Sequence, residues 1–188
     1  MDLPEMNERT EVTARRTSEL FKEQQQNIIR HTDRVFVRLM IWQWVAGVAA
    51  AVLLSPQAWS GTQSRIHLHV WAAVFLGGLF TALPVFLALR RPGESITRHA
   101  VAVGQMLMSA LLIHLTGGRI ETHFHVFGSL AILAFYRDWR VLISASAVVY
   151  VDHLLRGMLW PQSVYGVLAA PVWRSLEHAG WVIFEVTF

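Results

Sequence analysis

The sequence predicts an all-α membrane protein, a bundle of six transmembrane helices preceded by a cytoplasmic amphipathic helix. Three observations predict it. Of 188 residues, 54% are hydrophobic and only 15% are charged, where a soluble domain carries about 25% charged residues. The apolar residues gather in runs near 20 long, about the length a helix needs to cross a hydrocarbon layer roughly 30 Å thick. The charged residues crowd into the first forty positions and into short clusters between the runs. The chain divides accordingly into a cytoplasmic N-terminal helix, 1–34, and a membrane-embedded domain with six spans, 35–188.

Residues 1–34 are polar, and Leu20, Phe21, Ile28 and Ile29 recur near a heptad spacing. That pattern suits an amphipathic helix. It serves as a solvated lead-in to the first span or as a short coil holding a homodimer together. Six apolar segments follow. The first runs from about Val35 to Leu54 and ends at Pro56. The second covers Ile66 to Leu89, stopped by Arg90, Arg91 and Pro92. The third spans His99 to Thr116, stopped by Gly117 and Gly118. The fourth runs from Ile120 to Tyr136, stopped by RDWR. The fifth runs from Val141 to Trp160, stopped by Pro161. The sixth begins near Trp173 and is still apolar at Phe188. It is about 24 Å long as a helix and has no basic stop. The expectation is an N-terminal piece of a longer protein. TGGR before the fourth segment reads as a tight turn. Gly77 and Gly78 ahead of Pro84 read as close helix packing plus a kink, and Met106 and Met108 as core.

Positive charge orients the bundle. A cytoplasmic N-terminus puts Arg30, Arg34, Arg38, Arg90, Arg91, Arg98, Arg137 and Arg140 inside and Arg65, Arg119, Arg156 and Arg174 outside, the bias that cytoplasmic loops carry. Trp59, Trp71, Trp160 and Trp173 then fall at the outer interface, where aromatic belts form. The expected location is the bacterial inner membrane, multi-pass, with the N-terminus cytoplasmic and the lipid bilayer as partner.

Several function classes drop out. No cysteine is present, which excludes disulfides, thiolate metal sites, iron–sulfur clusters and covalently attached haem c. The net charge of +3 reflects arginines at helix ends, so nucleic-acid binding is not inferred. There is no P-loop, no GxSxG and no dinucleotide fingerprint. A polar start of about 35 residues is unlike a secretory leader.

The chemistry lies in the histidines. Seven of nine map to the outer side: His67, His69, His114, His123, His125, His153 and His178. Five helices contribute them. His31 and His99 map to the cytoplasmic side. His153 sits about 10 Å below the outer end of its span. Imidazole is the commonest nitrogen ligand for Zn, Cu and Fe, and its second nitrogen needs a carboxylate or carbonyl to orient it. Glu121, Asp152, Glu177 and Glu185 stand beside the histidines as second partners or ligands. Ionisable groups at membrane depth are costly and functional by default. His125, His153 and His178 are the first-ranked ligands, with His69, His114 and His123 next. Glu121 and His125 share a helix face at i,i+4, and His178 and Glu185 share one at i,i+7. His123 and His125 are i,i+2 and point nearly opposite ways on a regular helix. Both reach one ion only if the turn there is irregular. Asp152 also stands at i,i+4 from Arg156, a pairing that alone accounts for it.

The segments GGRIETHFHVFGSLAILAFYRDWRVL, VDHLLRGMLWPQSVYG and LEHAGWVIFE resemble the histidine-rich, multi-span N-terminal membrane region of bacterial signalling proteins. In these it precedes a histidine kinase, a chemoreceptor signalling domain or a diguanylate cyclase. The resemblance is best over spans four to six. It implies an input module for signal transduction or chemotaxis, whose partner is a downstream cytoplasmic signalling domain. The combined expectation is a membrane sensor that binds a transition metal (Cu, Zn or Fe) through histidines near the periplasmic face. Two rivals stand beside it: a b-type haem redox or gas sensor, and a membrane metalloenzyme, hydrolase or oxidase. Whether the chain is itself an enzyme stays open, leaning to no.

Overall fold

The computed structural model describes residues 3–60 and 63–188. Where a separate cytoplasmic helix and a first span are expected, one unbroken helix stands: α1, Leu3–Leu54, 52 residues long. The change in composition at residue 34 marks where the helix changes surroundings. It does not break there because neither Pro nor Gly occurs between Pro4 and Gly47. Residues 11–27 of α1 are exposed, and burial begins at Ile29.

A hairpin then follows, β1 (Gln57–Ser60) and β2 (Gln63–Ile66), antiparallel with Gln57 opposite Ile66. Two short extended runs about a Gly-containing connection are a hairpin pattern, and this one fills the stretch between the first two apolar segments, to which the sequence reading assigned no element. Four helices and a short connecting turn complete the bundle's main body. These are α2 (Leu68–Arg90), α3 (Ser95–Leu115), α4 (Ile120–Leu133), a 3₁₀ turn (Ala134–Tyr136), and α5 (Trp139–Leu159). A five-residue helix, α6 (Pro161–Tyr165), precedes α7 (Trp173–Thr187). The expected fourth span ends early. Arg137 adopts a left-handed conformation at φ 54° and closes the 3₁₀ turn.

Four helices among the described residues are long and apolar enough to cross a membrane: α1, α2, α3 and α5. The expected count of six is therefore not confirmed. α4 and α7 have 14 and 15 residues, about 21 and 22 Å, short of a full hydrocarbon crossing. The side chain of Trp59 lies outside the described residues. Trp71, Trp160 and Trp173 are all about half exposed.

α3 is the central helix. It packs on α1 and α2 on one side and on α4, α5 and α6 on the other, while α7 lies against α5 and α4. Met106, Ile113, Leu130, Leu133, Tyr136 and Val141 form the main core, and Ala51, Ala73, Met108 and Leu115 a second one. Met106 and Met108 are each 1% exposed. Small residues set the helix approach. The Trp44 indole lies across Gly77 and Gly78, and its Nε1 donates to the carbonyls of Ala73 and Val74, each at 3.2 Å. Gly104 of α3 faces Pro84 of α2. A Cβ there would stand 2.5 Å from Pro84 Cγ and 2.7 Å from the Phe80 carbonyl oxygen. Overpacking at backbone contacts is costly. Gly104→Val is expected to lower stability by about 2–3 kcal/mol, read as an earlier thermal transition in detergent. An unchanged transition would show that α2 and α3 do not meet at Gly104.

The helix ends on the Gly93 side of the bundle are locked by one acid. Asp33 is fully buried and accepts from Tyr136 Oη at 2.8 Å and from the Gly93 backbone N–H at 2.7 Å. It thus joins α1, the α2–α3 turn and the 3₁₀ turn. Beside it Arg98 bridges Asp138 at 2.8 Å, and Asp138 caps α5 by accepting from the Arg140 N–H.

Candidate functional site

The seven histidines expected on one side divide into three separate settings. His123 of α4, His153 of α5 and His178 of α7 form a triangle. Their ring centroids lie 5.4 Å (123–153), 5.5 Å (123–178) and 5.5 Å (153–178) apart. His69 of α2 stands 4.3 Å from His67 and 4.9 Å from His114 of α3, and His114 in turn meets Trp160 at 4.9 Å. His125 stands apart from both groups.

The local structure of the triangle repeats. In each case Nδ1 faces the carbonyl four residues back on its own helix: His123 to Arg119 at 2.9 Å, His153 to Val149 at 3.1 Å, His178 to Arg174 at 2.8 Å. A carbonyl only accepts, so Nδ1 carries the proton and donates. Nε2 of each ring is left as a lone-pair acceptor. His123 and His153 are buried, and His123 Nε2 is enclosed without a partner. Tyr165 closes one side, its ring 5.2 Å from that of His178 and 6.2 Å from that of His153. Its hydroxyl pairs with Ser175 at 2.9 Å. The outcome is a trio of rings whose second nitrogens, one Nε2 each, are all acceptors.

The two histidine groups are joined by a polar thread. The Asp152 carboxylate stands 3.3 Å from His153 Nδ1 and receives both Nε and Nη2 of Arg156. Arg156 Nη1 donates to Ser163 Oγ at 3.0 Å, and Ser163 Oγ pairs with His114 Nδ1 at 2.8 Å. Asp152 therefore does pair with Arg156 and touches the triangle as well. Ser163 lies on α6, an element the sequence reading did not anticipate. Pro161 at the first position of a helix is the signal that marks it.

His125, placed first among the expected ligands, points the other way. Its Nε2 lies 3.1 Å from Gln43 Nε2, and its Nδ1 lies 2.8 Å from Ser109 Oγ and 3.4 Å from Ser129 Oγ. α4 is regular through residues 123–125, so the i,i+2 pair diverges as helix geometry requires. His123 takes the place beside His153 and His178. Glu121 and Glu177 are exposed. Glu185 is half-buried, with Oε2 enclosed and unpartnered. His99 pairs with Ser144 at 2.9 Å, far along the chain from either group, and His31 is exposed. Among the described residues, no three His, Asp or Glu side chains close on one point tightly enough to hold an ion as they stand.

Two apolar cavities flank α7. One of about 590 Å³ lies against α5 and reaches His153 and His178. Another of about 750 Å³ lies against α4 and reaches His123, His178 and Glu185.

No family model matches this sequence, and no solved structure matches it. Among curated proteins it is similar to the Transducer protein Htr8 of Halobacterium salinarum, at 36% identity over 142 residues, which is 68% of this chain and 22% of that protein. The chain thus spans about a fifth of the length of the curated relative it matches, and the likeness is to a transducer.

Proposed function

We propose that this chain is the membrane sensory input module of a signalling protein, in which His123, His153 and His178 hold a transition metal near the periplasmic face. The observation that carries this reading is the triangle of acceptor nitrogens. Three imidazoles with Nδ1 fixed on carbonyls, their rings 5.4–5.5 Å apart, each keep an Nε2 lone pair that only a donor or a cation can satisfy. Such a set is starved of positive charge, which a cation supplies. An imidazole nitrogen about 2.0–2.1 Å from a metal puts its ring centroid about 3.2 Å away, so three ligands at tetrahedral angles stand about 5.2 Å apart. The observed spacings of 5.4–5.5 Å are close to that. With no thiolate, the donor set suits Zn, Cu(II) or Fe. A bound metal would supply positive charge and an open coordination position. His69 and His114 reach the triangle only through Asp152, Arg156 and Ser163, so they act on its charge from a distance.

The relative's printed name, a transducer, and its greater length support an output domain as partner. A ligand biases such an output only by binding two helix arrangements unequally, and the triangle draws on three helices. Homodimerisation through α1 belongs to the same proposal. A b-type haem is the second reading, favoured by the two apolar cavities on either side of His178. Elemental analysis and a visible spectrum of protein purified without chelator decide between them. Near-stoichiometric Zn, Cu or Fe without a Soret band supports the metal. A Soret band supports haem. Neither, with metals and haem precursor supplied, refutes both.

The proposed topology has six crossings and a cytoplasmic N-terminus. Reporter fusions after Arg91 and after Arg140 are expected to read cytoplasmic, and one near Gly118 periplasmic. A periplasmic reading after Arg140 would overturn both the topology and the outer placement of the histidines.

A further inference from the structure

His123 and Glu185 line one cavity, and each carries an enclosed polar atom without a partner, Nε2 and Oε2. It lies between α4 and α7, holds about 750 Å³, and is walled mainly by Phe124, Phe127, Trp181 and Phe184, with Glu177 and His178 also in its lining. Phe124 and Trp181 are 66% and 64% exposed, so the cavity opens on the flank of the bundle, where the proposed topology puts lipid. A buried polar atom left unpaired costs free energy. Two of them in one apolar, aromatic chamber point to a ligand that enters from the membrane and carries hydrogen-bonding groups at two ends of a flat ring.

We infer that this cavity binds a hydroquinone-type lipid, and binds it in preference to the oxidised quinone.

The selectivity comes from His123. Its Nδ1 is committed to the Arg119 carbonyl, so Nε2 accepts and cannot donate. A hydroquinone offers an O–H to it. A quinone offers only carbonyl oxygens, and acceptor against acceptor leaves both unpaired. Glu185 anchors the far ring oxygen in either redox state, since a protonated carboxyl accepts from a hydroxyl and donates to a carbonyl. The spacing agrees. The rings of His123 and His178 lie 5.5 Å apart, and Glu185 lies seven residues further along α7, about 10 Å. The two oxygens of a para-hydroquinone plus a hydrogen bond at each end span about 11 Å. The phenylalanine and tryptophan rings supply stacking faces for the ring, and the open flank leaves room for its tail.

The proposal does not rest on the metal reading. It shares one atom with it, because His123 Nε2 cannot ligate a metal and accept a hydroxyl together. A metal at the triangle and a hydroquinone in the cavity therefore compete.

The test is a calorimetric titration of the full chain in lipid nanodiscs, under anaerobic conditions, with a short-tailed hydroquinone and with the same compound oxidised. The hydroquinone is expected to bind about 10- to 100-fold more tightly, the range that loss of a buried hydrogen bond produces. His123→Phe removes the acceptor and should abolish the preference. Glu185→Leu should weaken binding about 10-fold. Equal affinity for the two forms in the wild type overturns the inference without any variant. So does a preference that survives His123→Phe, or the absence of saturable binding, which would assign the cavity to an acyl chain. Binding unmoved by Glu185→Leu overturns the two-ended docking. Zinc titrated alone separates the two ideas. Hydroquinone binding without zinc binding refutes a zinc site and keeps this one, and zinc binding without hydroquinone binding refutes this one and keeps the metal.

Discussion

Replacing His123, His153 or His178 singly with Ala is expected to reduce metal content at limiting metal by at least about 10–100-fold, the range already seen when only a ligand's supporting partner is lost. Each ring comes from a different helix and carries its own carbonyl partner, so no neighbour substitutes for it. His123 and His153 are 5% and 3% exposed, and water has little access to replace a missing nitrogen. His125→Ala is the telling control. Its ring already has partners on α1 and α3, so its loss should lower stability by about 1–2 kcal/mol and leave metal content intact. Inductively coupled plasma mass spectrometry on the four variants reads this directly. If His125→Ala empties the protein and His123→Ala does not, the triangle is the wrong site.

The largest effect on stability is expected at the opposite end of the bundle. Asp33→Ala leaves the Gly93 N–H and the Tyr136 hydroxyl unpaired in a place where Asp33 and Tyr136 are both fully buried. Removing one partner from a buried hydrogen bond costs about 1–3 kcal/mol per orphaned group. The variant is expected to lose about 2–4 kcal/mol. Tyr136→Phe removes one bond and keeps the ring stacked on Phe36 at 5.7 Å, so it should lose about half as much. Denaturant titration followed by circular dichroism checks both. A Tyr136→Phe loss as large as that of Asp33→Ala would mean that Gly93 contributes nothing to the lock.

Hydropathy and breakers made the longer helices legible, because a run such as Leu68–Arg90 is bounded by a cap residue and by Arg91 and Pro92. The gathering of histidines at one end was legible too, since it follows from counting residues back from helix ends. Which histidines meet was not. At i,i+2 the choice between His123 and His125 depends on the rotation of α4 about its axis, and both residues have apolar neighbours that leave that rotation open. Only tertiary contacts resolve it: Ser109 and Gln43 receive one ring, and His153 and His178 face the other. Asp33 was passed over for a different reason. A single acid among arginines just before an apolar run reads as surface charge, and its partners lie 60 and 103 residues away. The length of α1 was signalled by the missing breakers, yet composition spoke louder.

The unbroken helix α1 has a mechanical consequence. Asp33 clamps it about 30 residues from its start and about 21 from its end, or about 45 Å and about 32 Å at the rise of an α-helix. It is a first-order lever with unequal arms. If the helix tilts about the clamp as a rigid rod, a displacement at its Leu54 end reappears at its Leu3 end reversed in direction and enlarged by about 1.4-fold. Because residues 11–27 of the longer arm are exposed along their length, little of the bundle opposes that stroke.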